Sequence, residues 1–450
     1  MKKVQSNKYF RQSKWSICLM ALTALCSCST SENDNMNYRS EFNLYVVQGD
    51  SLVYDFGDAS LPLTEIEKKI NSTLDNYAVK MLLTYSKGTS KNTLLSPISA
   101  TTLYSLMANF TGDQQSNKYL ENMGIEDYDM SDVNSYCRKI DYQSKASNTS
   151  DASNTGNSSF NIDSKMWIDQ NTTVYDSFLS TTNAYNVSVR GVDFKNLADI
   201  EAINQNATTN MENNTEGIDR SSWANTKSIV TTVMDFKKTW KTEMGISNND
   251  STFINDNGST TICKMLQVQS DFNYCSFDEF DMLELPYSDE TYSAYIIYPH
   301  NANLLDKSLA AIQQIGLDKC ISLMGTEKVL IRVPEFTLEG ITSLNSQELS
   351  SSTGIKQMYN SKLSKASPDG FELNDIYQAY NIDFNGKGTS VILTSGSSIV
   401  KSNYSIHIGS GSKQTVNAKE FIVKHPFALL IRNNKLKSTV NACCIKALNI

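Results

Sequence analysis

The stretch LTEIEKKINSTLDNYAVKMLLTY places apolar residues at Ile66, Ile70, Leu74, Tyr77, Met81 and Leu82. That spacing gathers them on one face of a helix. Thr64 and Glu67 supply the capping-box pair that starts it. A polar turn, SKGTSKN, leads to TLLSPISATTLYSLMANF. Here Ser96 reads as an N-cap and Pro97 as the first helical residue, with Leu103, Leu106, Met107 and Phe110 on one face. The polar, low-complexity run SKASNTSDASNTGNSS, Ser144 to Ser159, reads as a loop. FNIDSKMWI after it reads as a strand.

Farther along, the pattern turns to strands. DMLELPYSDETYSAYIIYP makes two around the turn SDE. KVLIRVPEFTLE makes one, bent at Pro334. FIVKHPFALLIRN and STVNACCIKAL make a buried hairpin. Helices come early and strands late without strict alternation. This predicts an α+β fold around large, mainly antiparallel sheets. One stretch fits neither class. NGKGTSVILTSGSS, Asn385 to Ser398, sets the strand formers SVILT among glycines and serines that favour a mobile loop.

The chain has 450 residues, 40% hydrophobic and 20% charged, enough to bury a large core. Its formal charge of −8 argues against electrostatic binding to nucleic acid or to an anionic membrane surface. The first 27 residues run against that balance, with Lys2, Lys3, Lys8, Arg11 and Lys14 and no acid. A basic opening and the short apolar run WSICLMALTAL read as an export signal, too short for a membrane span. LCSC, Leu25 to Cys28, then resembles a bacterial lipobox. Cys28 follows the small Ser27 and is the expected lipidation site, whereas Cys26 would follow Leu25. An ordinary cleaved signal peptide is the alternative. The expected organisation is a signal at 1–27, a polar tether and N-terminal extension at 28–62, and one domain at 63–450. The expected place is the outer membrane or cell surface, held by the lipid.

Six cysteines lie downstream of this region: Cys137, Cys263, Cys275, Cys320, Cys443 and Cys444. They show no metal-ligand spacing and read as small buried apolar residues. The three histidines, His300, His407 and His425, form no nucleophile–base arrangement, and no phosphate loop, dinucleotide fingerprint or HExxH occurs. Neither catalysis nor a cofactor or metal is expected.

Several segments together carry a family resemblance. NTLLSPISATTLYSLMANFTGD (Asn92 to Asp113), FKKTWKTEM (Phe236 to Met244), LELPYSDETYSAYIIYP, VLIRVPEFTLE and HPFALLIRN stand in the order found in serpins. The resemblance runs from about Leu63 to the C-terminus. It implies a bundle of helices on large sheets and an exposed reactive loop, here about 386–420. Such a loop is cut by a protease and its leading part then enters the main sheet as a strand. The segment NGKGTSVILTSGSS sits where the serpin hinge sits. Gly386, Lys387, Gly388, Thr389, Val391 and Leu393 are the implied hinge residues. Thr389, Val391, Leu393 and Ser395 would face inward on insertion.

Other positions carry over from the same resemblance. Ser96, Pro97 and Ser99, with Thr232 and Gln378, match the polar shutter beneath the opening sheet, and Asn92 matches a family residue beside it. Thr232 and Gln378 replace the family's asparagine and histidine. Trp240 matches the tryptophan where the loop enters. The implied scissile region is Lys401, Ser402 and Asn403. The sequence departs from the family at Gly386, where glutamate is usual, and at Val391 and Leu393, which are larger than the usual small residues. From Gly388 to Pro426 the loop is also long, 38 positions. The implied function is a monomeric inhibitor that traps a serine or cysteine endopeptidase. A non-inhibitory serpin acting as decoy or binding module is the alternative.

Overall fold

The computed structural model describes residues 38–49, 56–112, 117–146, 159–208, 218, 223–345, 355–391 and 418–448. Cys28, Leu393, Ser395, Lys401, Ser402 and Asn403 lie outside the described residues.

The chain begins with β1 (Tyr38–Arg39) and β2 (Tyr45–Val47), then α1 (Glu65–Ser86). Thr64 and Glu67 form the expected capping box. Glu67 N donates to Thr64 Oγ1 at 3.2 Å and Thr64 N to Glu67 Oε2 at 2.7 Å. Next come β3 (Thr93–Leu95), α2 (Pro97–Ala108), α3 (Lys118–Met123) and α4 (Met130–Ala146). α4 therefore takes in the first residues of the run expected to be loop. β4 (Ser159–Asp169) follows where FNIDSKMWI predicts a strand, then β5 (Thr173–Tyr175), α5 (Asp176–Ala184), β6 (Val187–Val192) and α6 (Leu197–Thr208).

The rest is mostly strand: β7 (Ser228–Thr239), β8 (Gly245–Ile246), β9 (Ser251–Ile254), β10 (Thr260–Cys263), β11 (Met265–Ser276), β12 (Phe280–Pro286) and β13 (Tyr292–Pro299). After α7 (Leu305–Ile315) and α8 (Leu317–Ser322) come β14 (Gly325–Pro334), β15 (Phe336–Ser343) and α9 (Ile355–Tyr359). The chain ends with β16 (Asp375–Asn385), β17 (Gly388–Val391), β18 (Lys419–Ile422), β19 (Phe427–Asn433) and β20 (Ser438–Ile445). KVLIRVPEFTLE is thus not one bent strand. Pro334 ends β14 in one sheet, and β15 begins two residues later in another.

Nine strands form one sheet, in the order β18-β14-β11-β12-β13-β19-β20-β3, with β8 on β11. Six form another, β15-β16-β17-β7-β4-β6. Every residue of β19 and β20 is buried, as expected for a hairpin covered on both faces. α1 and α2 pack on β20. A smaller apolar cluster, with Trp167, Phe194, Ile203, Trp223 and Ile229, fills the space between α6 and the six-stranded sheet. The segment before α1 also docks. β2 pairs with β5, Leu44 is fully buried, and Gly191 N donates to Phe42 O at 2.7 Å. The six downstream cysteines are free thiols, five buried and Cys275 half-buried.

Candidate functional site

β16 runs into Asn385 and the chain reverses through Gly386 and Lys387. It returns as β17, with Asn385 opposite Gly388 and Ile382 opposite Val391. The side chain of Asn385 holds the reversal, its Oδ1 accepting from Lys387 N at 2.9 Å and Gly388 N at 3.2 Å. The other edge of β17 pairs with β7, Gly388 opposite Thr239 and Val391 opposite Phe236. The hinge, which the sequence places in a soluble loop, is therefore already a strand for four residues. Thr389 and Ser390 are buried.

Both glycines of the reversal are required by close backbone approach. A Cβ on Gly386 would lie 2.3 Å from Met244 O, and one on Gly388 would lie 2.1 Å from Lys238 O. That explains the departure at Gly386. In this arrangement the position expected to carry glutamate has no room for a side chain.

Below the hinge, β16 and β7 pair with each other directly and in parallel, from Asp375–Ile229 to Gln378–Thr232. The sheet is therefore closed at one end and opened by β17 at the other. Gln378 and Thr232 form the last closed pair. Gln378 also binds Ser96, accepting from Ser96 N at 2.9 Å and donating from Nε2 to Ser96 O at 3.0 Å. Thr232 Oγ1 lies 3.2 Å from Ser164 Oγ. These contacts bring Ser96, Thr232 and Gln378 into one buried polar layer, with Pro97 beginning α2 beside it.

Two expectations need correction here. Ser96 occupies the N-cap position, but its hydroxyl donates to Val440 O at 3.2 Å instead of accepting a helix N–H. Asn92 stands at the other end of β3 and binds the C-terminal segment, accepting from Lys446 N at 2.7 Å and Ala447 N at 2.9 Å. Its side chain does not join the Gln378 contacts. Ser99 is buried and its hydroxyl has no hydrogen-bond partner among the described residues.

Trp240 sits where β7 ends against the hinge reversal. Its Nε1 donates to Asn385 O at 2.9 Å and its backbone N to Lys387 O at 2.8 Å. Its ring stacks on Tyr287 at 4.5 Å and touches Phe384 at 5.3 Å. The Tyr287 hydroxyl faces Thr389; both hydroxyls are buried and neither has a partner at normal length among the described residues. Burial pushes the Tyr287 phenol well up, and the Thr389 hydroxyl offsets that in part. The sequence reading missed Asn385 and Tyr287. Asn385 ahead of a glycine was the available signal for the reversal, because an asparagine side chain bonds the backbone two residues on.

The family model described as serpin (serine protease inhibitor) matches residues 72–442. Among curated relatives, a serine protease inhibitor of Cyanea capillata is 25% identical, the match covering 51% of this chain and 64% of the relative. An uncharacterized serpin-like protein of Methanosarcina acetivorans is 23% identical over 60% of this chain and 63% of its own. A leukocyte elastase inhibitor of Xenopus laevis is 28% identical over 49% and 57%. The chain thus spans less than two thirds of these relatives' length. Among solved structures, thyroxine-binding globulin complexed with thyroxine superposes with a TM-score of 0.65 at 18% identity, covering 85% of this chain and 100% of that one. Native protease nexin-1 with heparin gives 0.65 at 18% identity, covering 85% and 99%. With the family match spanning most of its length and the sheet arrangement above, this chain belongs to the serpin family.

Proposed function

We propose that the protein inhibits a serine or cysteine endopeptidase by inserting its cut reactive loop into the six-stranded sheet. One observation carries the reading: β16 and β7 pair directly up to Gln378–Thr232, yet admit β17 between them above that level. In this mechanism the protease nucleophile attacks the scissile carbonyl and the amine leaves. The protease stays bound as an acyl ester, or as a thioester where its nucleophile is cysteine, while the loop's leading part extends β17. Continuing the register would set Leu393 level with Met234 and Tyr380, and Ser395 level with Thr232 and Gln378. The two bulky positions then fall at apolar and aromatic levels, and a hydroxyl arrives at the polar layer where the closed pair must separate. The scissile bond falls within Val400 to Tyr404, with Lys401–Ser402 favoured for a trypsin-like target and Ser402–Asn403 by family spacing.

The protein acts as an exported monomer, held to the membrane through Cys28. The deciding experiment incubates it with a panel of serine and cysteine endopeptidases and looks for an SDS-stable complex. Intact mass of the released C-terminal fragment locates the cut. Complete turnover without a complex, or a first cut outside the loop, overturns the reading.

A further inference from the structure

The end of β7 that seats the hinge is tied to the turn between β12 and β13 by three side-chain pairs. Lys238 Nζ meets Asp289 Oδ2 at 2.7 Å, Thr239 Oγ1 meets Ser288 Oγ at 2.9 Å, and Lys241 Nζ meets Glu290 Oε1 at 2.5 Å. Backbone bonds from Ser288 N to Thr239 O and from Lys241 N to Pro286 O, both 2.9 Å, lie among them. The turn belongs to the nine-stranded sheet, so this clasp joins the two sheets beside the hinge.

The charged pairs differ in kind. Lys241 and Glu290 are 53% and 65% exposed, a setting in which an ion pair contributes little. The side chains of Lys238 and Asp289 are 1% and 11% exposed. Asp289 is held by the turn itself, its Oδ1 accepting from Thr291 N at 3.0 Å and Tyr292 N at 3.3 Å. The Lys238 ammonium lies 4.9 Å from the centre of the Tyr292 ring. A buried pair of this kind acts as a unit, because removing one member leaves the other charge without compensation.

Lys238 is also the β7 residue opposite Thr389, and its carbonyl is the atom that a Cβ on Gly388 would strike. Moving its backbone moves the seat of the hinge. We propose that the Lys238–Asp289 ion pair is the positioning device of the hinge. It fixes the end of β7 at the distance from β16 that admits β17. Both residues are positioning groups that act through the backbone of β7. The inference rests on the reading of Gly388–Val391 as the leading end of an inserting strand.

The test is hydrogen exchange read by mass spectrometry on the intact chain, comparing wild type, Lys238→Met, Asp289→Asn, the double variant and Lys241→Ala. The asparagine keeps the acceptor that the turn needs. The expected result is exchange at 386–391 at least tenfold faster in each single variant, with β19 and β20 unchanged. The double variant is no faster than the worse single, and Lys241→Ala matches wild type. Unchanged hinge exchange in both single variants overturns the proposal, as do losses that multiply in the double variant. If Lys238→Met loses protection throughout, Asp289→Asn decides alone. The readout uses no protease. Absence of an SDS-stable complex therefore removes the inhibitor reading without touching this one.

Discussion

Ser96 and Gln378 grip each other through two hydrogen bonds, Ser96 N to Gln378 Oε1 at 2.9 Å and Gln378 Nε2 to Ser96 O at 3.0 Å. The contact ties the start of α2 to the last β16 residue that pairs directly with β7. Gln378→Leu leaves the buried Ser96 N–H without its partner, which costs about 1–3 kcal/mol. Ser96→Ala removes only the hydroxyl's bond to Val440 O and spares the backbone grip, so it costs about 1 kcal/mol. Gln378→His restores the family residue and falls between wild type and leucine. Thermal melts of the three variants rank them, and a serine variant worse than the leucine one contradicts the assignment.

A second prediction concerns the two glycines. Gly386→Ala and Gly388→Ala put a Cβ within 2.3 Å of Met244 O, just ahead of β8, and 2.1 Å of Lys238 O in β7, so backbone would have to shift. Overpacking of this kind costs roughly 1–3 kcal/mol. The hinge can relieve it by leaving the sheet. Both variants should become more sensitive to proteolysis at the hinge while the core stays protected. Gly325→Ala, where a Cβ meets nothing within 4 Å, is the control and should behave as wild type. Gly386→Glu should expel the hinge too, although glutamate is the family's usual residue. A seated hinge in that variant would show that Met244 moves aside.

Much of the fold was legible because its signals are local. The capping box, the 3.6-residue spacing of α1 and the apolar run of β19 lie within single segments. What the sequence hid depends on partners far away. The glycines and serines of the hinge looked mobile, but both edges of β17 find backbone partners, one of them on β7, some 150 residues earlier. KVLIRVPEFTLE showed its break at Pro334 without showing that its halves join different sheets. Ser96 was the right residue type for a cap, yet its hydroxyl found Val440. Phe236, Lys238 and Trp240 alternate on one face, so an inward lysine was readable, but not its partner Asp289.

Asp375 gives a pH signature. Its carboxyl is buried at the start of β16, and burial raises its pKa to about 6 despite bonds from Ser343 Oγ at 2.5 Å and Asn345 N at 2.9 Å. A pKa raised on folding means that the folded state holds the proton more tightly. The stabilisation is full below the ordinary carboxylate pKa near 3.8 and is lost as pH rises through about 6. Two units correspond to roughly 3 kcal/mol. The stability of wild type relative to Asp375→Asn should therefore fall by about 2–3 kcal/mol between pH 4 and pH 7. Denaturant melts across that range measure it, and parallel curves for the two proteins would exclude the effect.

The anchor is tested by cysteine replacement. With Cys28 lipidated, Cys28→Ala should move the protein from the membrane fraction to the soluble one, and Cys26→Ala should not. Detergent partitioning of both variants reads the outcome. An unchanged membrane fraction for Cys28→Ala removes the lipid anchor.

The last prediction asks whether the four-residue strand β17 can grow. A sheet that already admits Gly388–Val391 between β16 and β7 should accept more strand once the loop is cut. Cutting near Ser402 should then raise the thermal midpoint sharply, because the cut chain reaches a lower free energy than the intact, kinetically held one. If Val391 and Leu393 obstruct insertion, the cut wild type shifts little and replacing both with alanine restores the shift. Thr389→Arg should act at an earlier point. Thr389 is buried against Tyr287 and opposite Lys238, whose ammonium is already matched to Asp289. A second buried cation there would have to share that carboxylate, so the hinge should stay out of the sheet whether or not the loop is cut. Melting curves of cut and uncut protein, for wild type and the two variants, separate the outcomes. A large shift in wild type that Thr389→Arg abolishes means that insertion starts from the seat seen here. A small shift rescued by the double alanine variant means a chain that keeps the seat and has lost the trap. No shift in any of the three means that β17 is a fixed strand, and that the half-open sheet serves something other than insertion.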